Sequence, residues 1–188
     1  MKRNQVILIY GLPASGKYTM AKQVQEHCGG TLFDNHYFYD MFEGLTEVSN
    51  ENHYKYFNKV DTVRKAFIDV LRDFYPRKQH VRYIFTSGIL RGEKLPTVLQ
   101  KFANDINADF IPIELNARAD ILLARCDTEV RRNRRGKLTN KNKYKDLLKQ
   151  YMSKVWHSRN PNRLVLNSSD LSPEETFKQI KKHLKKFD

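Results

Sequence analysis

One stretch near the N-terminus, Val6–Thr19 (VILIYGLPASGKYT), limits what this chain can fold into more than any other. Val6-Ile7-Leu8-Ile9-Tyr10 is an apolar run of buried-strand length. Gly11-Leu12-Pro13-Ala14-Ser15-Gly16-Lys17 follows with the spacing G-x-x-x-x-G-K. After Lys17 the pattern turns helical, with Met20, Val24 and Cys28 on one face at steps of four. Strand, glycine loop and helix in that order is the context of a phosphate-binding loop. A triphosphate needs many donors packed closely. Gly11 and Gly16 leave room for inward-facing backbone N–H groups, and the helix N-terminus adds partial positive charge. Lys17 reaches the β- and γ-phosphates. The alternative is a plain glycine turn, which the full motif in its expected context disfavours. Gly11, Leu12, Pro13, Ala14, Ser15, Gly16, Lys17, Tyr18 and Thr19 are therefore candidates to bind a nucleotide, with ATP and Mg²⁺ as the expected cofactors.

One position departs from the pattern. The residue after Lys17 should offer a hydroxyl to Mg²⁺, and here it is Tyr18, whose phenol projects too far. Thr19 falls nearer the α-phosphate. Mg²⁺ is thus left to water and phosphate, to another side chain, or to weak holding, and its protein ligands stay unassigned.

At 188 residues, 40% of them hydrophobic, the chain suits one α/β domain, and no apolar run approaches a membrane span. Met1–Gln5 leads straight into the first strand, which predicts no signal peptide. Cys28 and Cys126 are isolated and lack metal-ligand spacing, so they read as reduced residues of a cytoplasmic protein. The net charge of +13 and pI near 9.7 imply polyanionic partners, whether nucleotides, nucleic acid or acidic metabolites.

Further along, Gly29-Gly30 closes the first helix and Thr31-Leu32-Phe33 forms a second strand. Its C-terminal end carries Asp34-Asn35-His36, and that edge of an open parallel sheet is where ligands sit. Asp34 is the candidate to orient or deprotonate an attacking hydroxyl, against the alternative of an Asx turn. His36 could contact substrate or Mg²⁺-bound water, or be structural. Residues 37–75 form the expected acceptor side: a mobile segment from Tyr37 to Asn52 around Gly44, then a helix over His53–Tyr75. The apolar stripe of that helix would be Phe57, Val60, Val63, Phe67, Leu71 and Phe74. Arg64 on this helix either clamps an anionic acceptor or faces solvent.

Val81–Thr86 reads as the third strand. It ends in Thr86-Ser87 where many phosphate-loop proteins carry an aspartate that supports Mg²⁺. Arg91, just beyond, could hold an acceptor or a phosphate. A short helix over Pro96–Asn104 follows, then a fourth strand, Phe110–Leu115, with an irregularity expected at Pro112. A helix begins at Asp120. Arg131, Arg132, Arg134, Arg135, Lys137, Lys141, Lys143 and Lys145 then form a basic stretch without acid, read as a lid over about residues 128–143. Its arginines would neutralise charge developing on a transferring phosphoryl group; the alternatives are a solvated loop or a nucleic-acid patch. A helix over Tyr144–Ser158 buries Leu148, Val155 and Trp156. Leu164–Leu166 is the fifth strand, Asn167–Asp170 its terminal loop, and Ser172-Pro173-Glu174-Glu175 a capped helix start.

With the loop, the strand-end aspartate and the basic lid in place, the chain resembles the small P-loop kinases: shikimate kinase, gluconate kinase, the zeta-toxin group and polynucleotide kinases. The likeness in organisation spans nearly the whole chain, though only GLPASGK is motif-grade. It implies a three-layer fold with a five-stranded parallel sheet in the order 2-3-1-4-5, and transfer of the γ-phosphate of ATP to a hydroxyl. By this resemblance Lys17 holds the β/γ-phosphates and Asp34 contacts the acceptor hydroxyl. Arg125 packs near adenine, and Ser168–Asp170 border it. Arg131, Arg132, Arg134 and Arg135 match the lid. Tyr18 and the missing third-strand carboxylate depart from it.

Three functions follow as expectations: a kinase for a small hydroxyl-bearing molecule, a kinase for a nucleic-acid end or nucleotide-sugar, and a non-catalytic nucleotide-binding module.

Overall fold

The computed structural model describes residues 3–42, 53–77, 79–88, 94–132 and 139–188. Its strands are β1 (Asn4–Tyr10), β2 (Thr31–Phe33), β3 (Arg82–Ser87), β4 (Ala108–Asn116) and β5 (Leu164–Asn167). They form one parallel sheet in the order β2-β3-β1-β4-β5, as expected. Val6 lies opposite Tyr83 and Phe110, and Tyr10 opposite Ser87 and Glu114. The C-terminal ends of β1, β3 and β4 therefore open on one edge, directly beneath the glycine loop.

The helices are α1 (Lys17–Cys28), α2 (His36–Asp40), α3 (His53–Phe74), α4 (Lys94–Asp105), α5 (Ala119–Cys126), α6 (Glu129–Arg132), α7 (Lys141–Tyr151) and α8 (Pro173–Leu184). They cover both faces of the sheet. Val6, Leu8 and Tyr10 pack with Ile68 of α3 and with Leu99 and Phe102 of α4. Ile7 and Ile9 point the other way, onto Met20 and Val24 of α1 and Ile180 and Leu184 of α8. A strand buried on both faces has to be apolar throughout, which is why β1 shows no alternation. Ile7, Leu8 and Ile9 are fully buried, each stabilising the fold by about 1.5–3 kcal/mol. A third cluster joins Leu12 and Ala14 of the loop to Leu122 of α5 and Tyr144 and Leu148 of α7. Among the described residues no helix is long and apolar enough to cross a membrane.

Several expectations need correction. The buried line of α3 runs Val60, Arg64, Ile68, whereas Phe57 and Phe74 are 45% and 81% exposed. Arg64 thus belongs to the packed face and not to solvent. The basic stretch turns helical early: Asn140 caps α7 by accepting from the Lys143 N–H at 3.0 Å. α7 then ends at Tyr151 and continues as a 3₁₀ turn, Met152–Lys154, so Val155 and Trp156 lie beyond the helix. Trp156 still packs on Tyr10, with ring centroids 5.2 Å apart.

Pro112 causes no irregularity, and the β1–β4 register passes through it unbroken. The Phe110 carbonyl faces the β5 side, where it accepts from Asn162, and Pro112, two residues on, faces the same way. β5 pairs only from Ile113 onward, so no ladder bond needs the missing N–H. The segment expected to be mobile begins as helix α2; Gly44 and residues 43–52 lie outside the described residues.

Candidate functional site

The loop is held in a shape that few sequences can adopt. Gly11 has φ +148°, and a Cβ there would sit 2.2 Å from the Leu115 carbonyl oxygen of β4. Ala14 and Gly16 take positive φ of 64° and 92°. Gly16 caps α1 without any side-chain hydrogen bond, so the first-turn N–H groups are not answered by a cap. The Tyr144 hydroxyl of α7 donates to the Pro13 carbonyl. Burial holds that phenol in its protonated form, well above its ordinary pKa. Lys17 Nζ donates to the Leu12 carbonyl at 2.8 Å, folded back over the loop. Ser15 Oγ is buried with no hydrogen-bond partner, an arrangement that costs roughly 1–3 kcal/mol until a ligand answers it.

These features fit a polyphosphate: a backbone cradle, a lysine and an unanswered hydroxyl at one place. They do not fit a Mg²⁺ ion held by the usual loop hydroxyl. Tyr18 occupies that position, and among the described residues no group of three His, Cys, Asp or Glu is placed to hold a metal.

A cleft of about 710 Å³ runs from the loop across the sheet edge. Lys17, Thr19, Arg125, Arg131 and Ser168 line its nucleotide end; Asp34, Asn35, His36, Tyr39, Phe57 and Thr86 line the other. Asp34 is 6% exposed and accepts from the Thr86 hydroxyl, which in turn accepts from the Asn35 N–H at 3.1 Å. Thr86, at the end of β3, thus fixes a carboxylate delivered by the neighbouring strand. Asn35 is fixed from the other side, its Oδ1 accepting from Arg64 Nη2 at 2.7 Å. The Arg64 guanidinium also pairs with Asp61 through Nη1 and lies 5.4 Å over the Phe38 ring. Burial and the nearby Tyr18 and Asp34 push the Tyr37 phenol above its ordinary value.

At the nucleotide end, Arg125 donates through Nη2 to the Ser168 carbonyl at 2.8 Å and through Nη1 to its hydroxyl at 3.1 Å. Arg131 lines the cleft and donates to the Cys126 carbonyl at 3.1 Å. Two expected residues stand apart. Asp170 pairs bidentately with Arg118 at 2.8 Å on the surface, and Arg132 holds Asp127 at 2.7 Å, depressing the Asp127 pKa. Arg64 reaches the cleft only through Asn35 and does not line it. Arg91, Arg134 and Arg135 lie outside the described residues. Sequence reasoning did not single out Thr86 as the partner of Asp34, Tyr144 as the support of the loop, or Tyr39 and Tyr56 as cleft wall.

No protein-family model matches the chain, and no curated protein matches it. Solved structures do. A putative kinase from Chloroflexus aurantiacus superposes with a TM-score of 0.69 at 15% identity, over 100% of both chains. A gluconokinase from Sinorhizobium meliloti gives 0.61 at 13% identity, over 99% of this chain and 94% of that one. The APS kinase of Mycobacterium tuberculosis, solved with AMPPNP and APS, gives 0.56 at 15% identity, over 98% and 99%. This chain has the fold of the small P-loop kinases.

Proposed function

We propose that the chain is an ATP-dependent phosphotransferase acting on a hydroxyl of a small acceptor. The observation that carries this reading is the Asp34 carboxylate, oriented by Thr86 in the same cleft as the Lys17 loop. The loop holds the phosphates and Lys17 swings from the Leu12 carbonyl to meet them. Asp34 takes the proton of the acceptor hydroxyl as its oxygen bonds the γ-phosphorus; the bond to the β–γ bridging oxygen breaks and ADP leaves. Arg131 reaches the cleft from the lid side and supplies positive charge. When bound, Mg²⁺ would shield phosphate charge, but no step is assigned to it because Tyr18 leaves it without its usual ligand.

Tyr18 is the observation that favours a second reading, a nucleotide-sensing module without catalysis. Thermal stability with ATP, GTP and ADP, each with and without Mg²⁺, separates the two. The phosphotransferase reading expects a Mg²⁺-dependent rise in Tm with ATP that Lys17→Ala abolishes. A rise indifferent to Mg²⁺, with no ATP turnover, would favour the sensor.

A further inference from the structure

We infer that the acceptor is a nucleoside unit, its base stacked on the aromatic wall formed by Tyr39 and Phe57. The inference rests on the phosphotransferase reading and names its substrate class.

Two observations carry it. First, the acceptor end of the cleft is built from rings. Tyr39 makes an edge contact with Phe57 at 5.8 Å, and Tyr56 another with Phe57 at 5.6 Å. His36 stands 6.3 Å from Tyr39. Such interlocked rings form a rigid surface, and Phe57, 45% exposed at the cleft, is a large apolar face spent on no core. Second, this end is poor in cations. Among the described residues lining the acceptor end there is no lysine or arginine, while Asp34 contributes a negative charge. Arg64 is committed to Asp61 and Asn35 with its side chain 8% exposed. A carboxylated sugar would meet repulsion and no guanidinium fork. An uncharged planar base offers what the wall recognises, since every base has a π-face, and the attached sugar presents a hydroxyl toward Asp34. In the transfer, that hydroxyl oxygen gains the phosphorus, its proton passes to Asp34, and ADP departs.

A free nucleoside and the terminal nucleoside of a nucleic acid share this chemistry. The test is calorimetric titration of the ADP-loaded protein with adenosine, cytidine, guanosine, thymidine, gluconate, shikimate and a short oligonucleotide bearing a free 5′-hydroxyl. At least one nucleoside should bind. Phe57→Ala and Tyr39→Ala should each weaken it about tenfold or more, with ADP affinity unchanged and Phe57→Tyr retaining binding. Phe57→Leu serves if the alanine variant unfolds. Oligonucleotide binding that outcompetes free nucleosides and falls steeply with salt would assign the nucleic-acid source. Binding or phosphorylation of gluconate or shikimate with every nucleoside and oligonucleotide ignored would overturn the inference while leaving the phosphotransferase reading intact. Nucleoside binding indifferent to both aromatic positions would also overturn it. Loss of the phosphotransferase reading would show separately, as absence of any Lys17-dependent ADP binding.

Discussion

The two ends of the cleft are built by different means. The nucleotide end is made mainly of backbone: three consecutive turns of unusual φ, a glycine wedged against the Leu115 carbonyl, and a helix start left open. The acceptor end is made of side chains: Asp34 set by Thr86, Asn35 set by Arg64, and a wall of rings. Backbone geometry tolerates little variation, so the first end can serve one kind of ligand. Side chains can be exchanged singly, so the second can be retuned without disturbing the first.

That contrast predicts separable losses. Lys17→Ala should give the largest effect, removing nucleotide-induced stabilisation and lowering turnover by about 10³-fold, measured by Tm shift and ADP release. If nucleotide affinity survives, the backbone cradle alone suffices and the contrast is sharper than drawn. Asp34→Asn should lower kcat by roughly 10²–10⁴-fold while leaving the Tm shift with ATP intact. An equal loss of ATP binding would mean that the two ends are not independent.

Tyr144→Phe should weaken nucleotide binding and cost about 1 kcal/mol of stability, because the Pro13 carbonyl loses its donor, readable by denaturant titration. Ser172→Ala, remote from both ends, should cost about 1 kcal/mol without touching either ligand, since it removes the cap of α8. The same cap titrates. The Ser172 N–H, donating at 2.8 Å, holds the Glu175 carboxyl below its ordinary value of 4.5. That stability is complete above the unfolded value and fades as pH falls through the depressed folded one, so acid unfolding of Glu175→Gln should lack this component.

The nucleotide end was legible because its residues are contiguous. Gly11, Gly16 and Lys17 announce their backbone conformations and charge within a few positions. The sheet order was legible for a similar reason, with apolar strands alternating with amphipathic helices. The acceptor end was legible in part. Asp34 could be placed at a strand end, but its partner Thr86 lies 52 positions away, and no local pattern links them. Arg64 was misjudged between clamp and solvent because a buried guanidinium within an apolar line looks like an interruption. Phe57 was assigned to the core because an aromatic at helical spacing usually belongs there, whereas here the helix turns it to the cleft. The capped start of α8 could be read in full, since Ser172, Pro173 and Glu175 satisfy each other locally.

The register of β1 also sets an order of events during synthesis. Gln5 meets Arg82 across 77 positions, and Tyr10 meets Glu114 across 104. Neither wall of the strand that carries the loop exists until the chain has extended well past its midpoint, and closing such long loops delays folding. The wedge that shapes Gly11 is the Leu115 carbonyl, so a nascent chain ending before β4 has the whole GLPASGK motif and no phosphate cradle. Nucleotide can therefore favour the folded protein only after β4 has left the ribosome.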